Sequence, residues 1–426
     1  MKKVLIITYY WPPAGGPGVQ RWLKFVKYLP ENGILPIIYI PENPAYPIID
    51  EDLQKEVPED VIIIRKPILE PYGLASIFSK RKLSKMSSGI IPSEKKQTFL
   101  DKTALWIRGN LFIPDARILW VRPSVKFLRE YLQQNNIDTV ITTGPPHSLH
   151  LIGLRLKEQI QVKWIADFRD PWTTIGYHKK LRLSLSAEKK HQAMERAVLN
   201  AADRIIVTSK STKAEFEKLT SQPVDIVTNG YDIEVNEKPA SDSRFSVAHI
   251  GSFLSGRNPE ILWQALSELL IEMPGFADKF ELKLIGTTGG EIIDAIERYK
   301  LEEYTTNIGY VSHKEAVFHQ RNSQVLLLVE IDSAETVSII PGKLFEYMAS
   351  GRPVVAIGPE GSDFADIISD TGIGIFANYR EKEKVKNALK DYFINYIEGN
   401  LMSVPVGIEK FSRRNLTRQL SELLKN

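Results

Sequence analysis

Ile340-Pro341-Gly342-Lys343-Leu344-Phe345-Glu346-Tyr347-Met348-Ala349-Ser350-Gly351-Arg352-Pro353-Val354-Val355 is the stretch from which the rest of the chain can be read. It runs loop, helix, glycine stop, strand. Gly342 and Lys343 open the helix, where free amides and an ammonium suit a diphosphate. Glu346, one turn in, has two readings. Its carboxylate suits ribose hydroxyls, as in dinucleotide folds, and it is equally a first-turn acid favoured by the helix dipole. Gly351 is a C-cap and Pro353 prevents the helix from continuing.

Outward from there the pattern is strand then helix, repeated. Lys3–Thr8 is a continuous apolar run suited to a doubly covered parallel sheet, followed by helical spacing of Trp22, Phe25, Val26 and Leu29. Ile34–Ile40 reads as a strand broken by Pro36. Asp138–Thr142, Val162–Ala166 and Arg204–Thr208 read as strands, with helices at Leu149–Gln159 and Ala187–Ala201. Ser209 is placed to cap the helix after it. Regularity lapses over 229–244, a polar linker from Asn229-Gly230-Tyr231-Asp232. A second series follows, with strands at Phe245–Ile250, Phe280–Ile285, Asn307–Ile308, Val325–Val329 and Val354–Ile357. The expectation is α/β: two Rossmann-like, doubly wound parallel-sheet domains facing a central cleft. Residues 1–228 form the first domain, 245–406 the second, and 407–426 a closing helix that returns to the first.

Composition narrows the classes. The chain has 426 residues, 43% hydrophobic and 25% charged, with net charge +3. That fits two globular domains and excludes whole-chain disorder and coiled coil. With no cysteine, thiolate catalysis and cysteine zinc sites are excluded. The start resembles an export signal, but its apolar run stops at Trp11-Pro12-Pro13, so a cytoplasmic enzyme is expected. Residues 74–126 hold eleven cations against three acids, a surplus of eight that leaves the remainder of the chain with a deficit of five. Apolar residues such as Ile77, Phe78, Trp106 and Phe112 are interleaved. This segment suits an anionic membrane surface or a lipid-linked acceptor, and equally a solvated insertion. No nucleic-acid reading module accompanies the charge, so nucleic acid is not expected as a partner.

Several loops carry candidate chemistry. Tyr9-Tyr10-Trp11-Pro12-Pro13-Ala14-Gly15-Gly16-Pro17-Gly18 joins the first strand to its helix and lets backbone amides approach an anion. It is neither G-x-G-x-x-G nor a Walker loop. Thr142-Thr143-Gly144-Pro145-Pro146-His147-Ser148 and Ala166-Asp167-Phe168-Arg169-Asp170-Pro171-Trp172 end two strands, where such sheets bind ligands. His147 can bond a hydroxyl or simply sit at a helix start. Asp167, Arg169 and Asp170 can orient an acceptor or phosphate, or form a structural pair. Asp50-Glu51-Asp52 reads as a helix start rather than a metal motif, and the scattered histidines have no zinc spacing.

The Ile340–Val355 stretch resembles the second domain of nucleotide-sugar glycosyltransferases of the GT-B fold, notably glycosyltransferase family 4. The resemblance runs through nearly the whole chain. Gly15-Gly16 is similar to the family's first-strand loop, Asn229-Gly230-Tyr231-Asp232 to its linker entry, and His249-Ile250-Gly251-Ser252 to the first donor-domain strand. Gly309-Tyr310-Val311 resembles the base-binding loop, and Phe411-Ser412-Arg413 the start of the closing helix. It implies donor binding by Gly15, Gly16, Gly251, Ser252, Arg257, Tyr310, Val311, Gly342, Lys343, Leu344 and Glu346. It also implies roles for His147, Asp167, Arg169 and Asp170 toward the transferred sugar and acceptor. The family's E-x7-E pattern ends at Glu346 but begins here with Ser338, and Ser252 stands where relatives carry Arg. Arg257 and Lys343 are then the cations left to stabilise a diphosphate leaving group, the task of a metal in other transferases.

The resemblance therefore implies a metal-independent transferase without a cofactor. It would move sugar from a nucleoside diphosphate donor to a hydroxyl acceptor with anomeric retention, in surface-polysaccharide or glycolipid synthesis, and would be cytoplasmic and peripheral on the inner face of the membrane. Two alternatives remain open: a nucleotide-sugar 2-epimerase of the same fold, and a non-catalytic nucleotide-sugar binder.

Overall fold

The computed structural model describes residues 1–70, 99–179, 181–232, 241–254 and 256–425. The chain divides into two compact units. The first is Met1–Asn229 with Arg413–Asn426, the second Gly230–Ser412.

Among the described residues the first unit holds seven parallel strands in the order β3-β2-β1-β4-β5-β6-β7. These are β1 (Lys2–Ile7), β2 (Ile34–Pro41), β3 (Ile62–Lys66), β4 (Thr139–Gly144), β5 (Lys163–Phe168), β6 (Arg204–Val207) and β7 (Val224–Ile226). The apolar run of β1 is buried on both faces, as a covered parallel sheet requires. Val4 and Ile6 pack with Trp22, Phe25 and Val26 of α1 (Pro17–Tyr28), and with Leu416, Leu420 and Leu424 of the C-terminal helix Arg413–Lys425. Leu5 and Ile7 point the other way. They join Trp120, Val125 and Leu128 of α3 (Ile118–Gln134) and Leu149, Ile152 and Leu156 of α4 (Ser148–Gln159). Burying each such aliphatic side chain is worth about 1.5–3 kcal/mol. Before α3 lies α2 (Phe99–Asn110), and after β5 comes α5 (Leu185–Ala201). The C-terminal helix is tied down by its last carbonyls: Lys2 Nζ donates to Leu424 O at 2.8 Å and Lys163 Nζ to Leu423 O at 3.3 Å.

Pro36 does not interrupt β2, which runs unbroken from Ile34 to Pro41. Pairing with β3 begins only at Ile37, so the missing N–H of Pro36 breaks no bond on that side. The Asp50 side chain accepts from Asp52 N at the head of a single 3-10 stretch, Glu51–Glu56. Of the basic segment 74–126, the cations Lys80, Arg81, Lys82, Lys85, Lys95 and Lys96 lie outside the described residues, as do residues 233–240 of the 229–244 linker.

The second unit holds six parallel strands in the order β10-β9-β8-β11-β12-β13. They are β8 (Phe245–Ile250), β9 (Phe280–Ile285), β10 (Thr305–Gly309), β11 (Val325–Val329), β12 (Val354–Gly358) and β13 (Gly374–Asn378). One face carries α6 (Glu260–Glu272) and α9 (Lys382–Ile397) through Leu262, Leu266, Leu389 and Phe393. The other carries α8 (Lys343–Ser350) through Leu344, Phe345, Tyr347 and Met348. Beside α8 packs α7 (His313–Asn322). Gly351 closes α8 in the left-handed conformation. Residues 407–412 pack with this unit, not with the C-terminal helix.

In each sheet the strand order reverses direction at one strand: β1 lies between β2 and β4, and β8 between β9 and β11. Such switch points leave a crevice beyond the strand carboxyl ends, where open α/β sheets bind ligands. Among the described residues no helix is long and apolar enough to cross a membrane.

Candidate functional site

In the second unit the switch point gathers charge. β8 ends at His249-Ile250-Gly251, and Gly251 has φ of 107°, a conformation costly for any residue with a Cβ. Lys343, the first residue of α8, reaches back to this turn. Its Nζ lies 2.9 Å from His249 Nε2 and donates to Ile250 O at 3.2 Å. Arg257 donates from Nε and Nη2 to one oxygen of Glu330, at 3.2 and 2.9 Å. Glu330 follows β11 directly and is only 3% exposed, and it also accepts from the Ile331 amide at 2.8 Å. Glu346 accepts from Gln320 Nε2 of α7 at 2.7 Å.

The electrostatics follow from that crowding. Burial, then the positive charge of Arg257, pull the Lys343 ammonium down to about 7, against the opposing pull of Glu330 and Glu346. Burial and the neighbouring Lys343 and Arg257 hold His249 well below the usual imidazole range, so it is neutral; toward an ammonium at Lys343 its Nε2 is the accepting nitrogen, with the proton on Nδ1. The turn thus gathers two cations and two acids, and the acids offset part of the repulsion between the cations.

The remaining donor-side candidates differ in their surroundings. Ser252 is exposed and Gly342 precedes the first turn of α8. The Leu344 side chain is in the core and its amide bonds Pro341 O. Tyr310 is 87% exposed, whereas Val311 packs against the α8 side of the sheet. In the first unit the Gly15 amide bonds Ile48 O, and Gly16 is the residue before α1.

The first unit has its own cavity of about 350 Å³, lined by His147, Asp170, Trp172, His178, Tyr10 and Arg117 among others. His147 is 5% exposed and stacks on Trp172 with ring centroids 4.9 Å apart and planes 4° from parallel. Neither of its ring nitrogens has a partner. Burial, then His150 and Arg169, hold it well below its usual range, so it is neutral. Asp170 is pushed upward by burial, with Arg169 opposing. A neutral imidazole and a carboxyl of raised basicity in one cavity can accept and donate hydrogen bonds to hydroxyls.

Asp167 and Arg169 do not line that cavity. Asp167, fully buried, accepts from Arg21 Nη2, Trp22 Nε1 and Thr143 Oγ1, each at 2.8 Å. Arg169 folds onto carbonyls of the β4 loop, its Nε donating to Gly144 O at 3.2 Å and its Nη2 to Pro145 O. Its Nη1 lies against Gly18, where an added Cβ would come within 1.8 Å. Sequence reasoning missed Arg21, Gln320 and Glu330. An acid directly after the wholly apolar run Val325–Val329 was the available signal for Glu330. Nothing local marked the other two.

Comparisons with known proteins bear on the family and the fold. Residues 91–235 match the family model described as Glycosyltransferase Family 4, and residues 244–395 that described as Glycosyl transferases group 1. No curated protein sequence matches the chain. Sucrose-phosphate synthase from Thermosynechococcus elongatus superposes with a TM-score of 0.60 at 15% identity, covering 100% of this chain and 98% of its own. The lipopolysaccharide outer core galactosyltransferase WaaB gives 0.58 at 15%, covering 100% of both chains. A Listeria monocytogenes protein described as a UDP-N-acetylglucosamine 2-epimerase gives 0.54 at 12%, covering 100% of this chain and 96% of its own. At such identities the superpositions establish the fold, and the family models establish the class: the protein is a glycosyltransferase of the GT-B fold. Its first unit carries the family 4 match and its second the group 1 match.

Proposed function

We propose that the enzyme transfers a sugar from a nucleoside diphosphate donor, held by the second unit, to a hydroxyl acceptor bound in the first. The observation that carries this reading is the Lys343 side chain held over the Gly251 turn at the β8 switch point by His249 and Ile250 O. In the reaction the bond between the anomeric carbon and the diphosphate oxygen breaks. The leaving nucleoside diphosphate takes the electron pair, and a new bond forms to the acceptor oxygen. Lys343 and Arg257 stabilise the charge that develops on the diphosphate, with no metal required. Glu346 accepts from the ribose hydroxyls. The acceptor proton passes to a diphosphate oxygen in the retaining course that the family resemblance implies. In the first unit His147 and Asp170 orient the acceptor and sugar hydroxyls.

A thermal-shift panel of UDP-, GDP-, ADP- and dTDP-sugars tests the donor half, because a ligand that binds only the folded state raises apparent stability. One of the four should raise the melting temperature of the native protein and leave Lys343→Ala unshifted. Absence of a shift with all of them would refute the donor assignment. Product analysis with donor alone separates transfer from epimerisation, since only an epimerase releases an altered nucleotide sugar without acceptor.

The acceptor is proposed to be lipid-linked, in surface-polysaccharide or glycolipid synthesis, with the enzyme cytoplasmic and peripheral on an anionic membrane. What supports this is the cationic surplus of residues 74–126 together with the exposed Trp106, Ile107 and Leu111 near the end of α2. Deleting residues 80–96 should abolish salt-sensitive binding to vesicles containing anionic lipid. Undiminished binding would remove the segment from the proposal.

A further inference from the structure

The contact between Lys343 and His249 is unusual chemistry for a phosphate-binding lysine. An ammonium has three N–H donors. Here one points at His249 Nε2, 2.9 Å away, and a second at Ile250 O, 3.2 Å away. His249 is itself immobile. It is 1% exposed, sits on β8, and stacks on Phe253 with centroids 4.0 Å apart. The strand end it belongs to is pinned from α8, whose Tyr347 hydroxyl accepts from Ile250 N at 3.3 Å. Gly251 has no side chain, and a Cβ added there would stand at ordinary van der Waals distance, 3.8 Å, from Nζ.

We infer that His249 is a positioning residue for donor binding: its neutral Nε2 holds the Lys343 ammonium over the Gly251 turn, with one N–H left for a diphosphate oxygen. This rests on the donor reading above and adds a residue and a pH dependence to it. A neutral imidazole suits the place because it accepts without adding charge. A carboxylate there would neutralise the lysine and weaken its pull on an anion. The charged and titratable groups around Nζ are His249 on β8, Arg257 after β8, Glu330 after β11, and Glu346 and Tyr347 on α8 itself. Arg257 favours the neutral amine and the two glutamates favour the ammonium. The acceptor at His249 adds to the glutamates, and a bound diphosphate would add far more.

The test is the pH profile of the donor KM in the native enzyme, His249→Leu, His249→Gln and Lys343→Arg. Native donor affinity should fall as pH rises past the lysine's titration. His249→Leu removes the acceptor and should move that limb about one pH unit lower, since a hydrogen bond to a charged group commonly changes its proton affinity tenfold or more. His249→Gln, whose amide oxygen can take the place of Nε2, should restore it. Lys343→Arg, always charged, should abolish the limb. An unmoved limb in folded His249→Leu overturns the inference. If that variant does not fold, persistence of the limb in Lys343→Arg overturns it instead. Failure of the underlying reading looks different: the native protein then shows no calorimetric binding of UDP, GDP, ADP or dTDP at any pH.

Discussion

Arg21 and Asp167 form an ion pair of 2.8 Å in which the side chains are 1% and 0% exposed. The arginine comes from α1, directly after the glycine loop, and the aspartate from the carboxyl end of β5. Arg21 also donates to Thr228 O at 2.9 Å, so one guanidinium joins the first helix, strand β5 and the end of the first unit's main segment. Burial alone would raise the Asp167 carboxyl. The charge of Arg21, with hydrogen bonds from Arg21, Thr143 and Trp22, outweighs that and holds it below its usual value.

Removing one partner of such a pair leaves an uncompensated buried charge, which costs about 3–5 kcal/mol. Asp167→Ala should lower the stability of the first unit by that order in chemical denaturation. Its effect on donor affinity, measured by calorimetry on the folded protein, should be small. A tenfold loss of donor affinity without destabilisation would place Asp167 in the reaction instead.

Gly18→Ala pushes a methyl group into the Arg169 guanidinium. The arginine is a flexible side chain and will move, giving up its bonds to Gly144 O and Pro145 O. Alanine favours the helix by about 1 kcal/mol over glycine, which offsets part of the loss. The expected outcome is a stability change within about 1 kcal/mol and a rise in acceptor KM, read by steady-state kinetics. An unchanged acceptor KM would show that the Arg169 bonds do not position the β4 loop, whose Pro145 lines the cavity.

Glu330→Gln keeps the shape of the buried side chain but removes the charge that holds Arg257. Donor KM should rise roughly tenfold, the usual scale for losing a charge-assisted hydrogen bond, with kcat affected less. If kcat fell and KM held, Arg257 would be acting only in the transition state.

Acid should destabilise the first unit through its buried histidines. Burial lowers His150 to about 3 against the opposing charge of Asp167, and His178 to about 4, and it holds His147 and His191 below their usual range. The unfolded chain binds protons at these sites below pH ~6.5 and the native unit does not, so stability falls as pH drops through that range. Each such group contributes a slope of up to about 1.4 kcal/mol per pH unit. Urea titrations from pH 7 to 5 should show the decline, and His178→Gln should flatten it.

Donor binding above neutrality should be accompanied by proton uptake. The free Lys343 titrates at about 7, and an adjacent diphosphate raises that value. Calorimetry at pH 8 in buffers of different ionisation enthalpy should show uptake approaching one proton, absent in Lys343→Arg. Equal enthalpies in all buffers would mean that the lysine is already charged or does not touch the ligand.

The alternation of apolar runs and amphipathic helices was enough to identify doubly wound parallel sheets. Periodicity is a local property, and β1, β8 and β11 are apolar because both of their faces are covered. Short edge strands were less legible. Ile62–Lys66 and Val224–Ile226 are strands by virtue of a neighbour to pair with, and their own composition says little. Lys343 and Glu346 could be singled out because a helix start with a glycine, a cation and an acid has a local chemical meaning.

Tertiary structure decided which neighbour each of those residues received. His249 lies 94 positions from Lys343, Glu330 lies 73 from Arg257, and Asp167 lies 146 from Arg21. Strand order alone brings these pairs together. Asp167 and Asp170, three residues apart, consequently have different surroundings, one inside the sheet among hydrogen-bond donors and the other lining a cavity. Sequence specifies the charge of a side chain, but the electric field it sits in is produced by groups that only folding brings near.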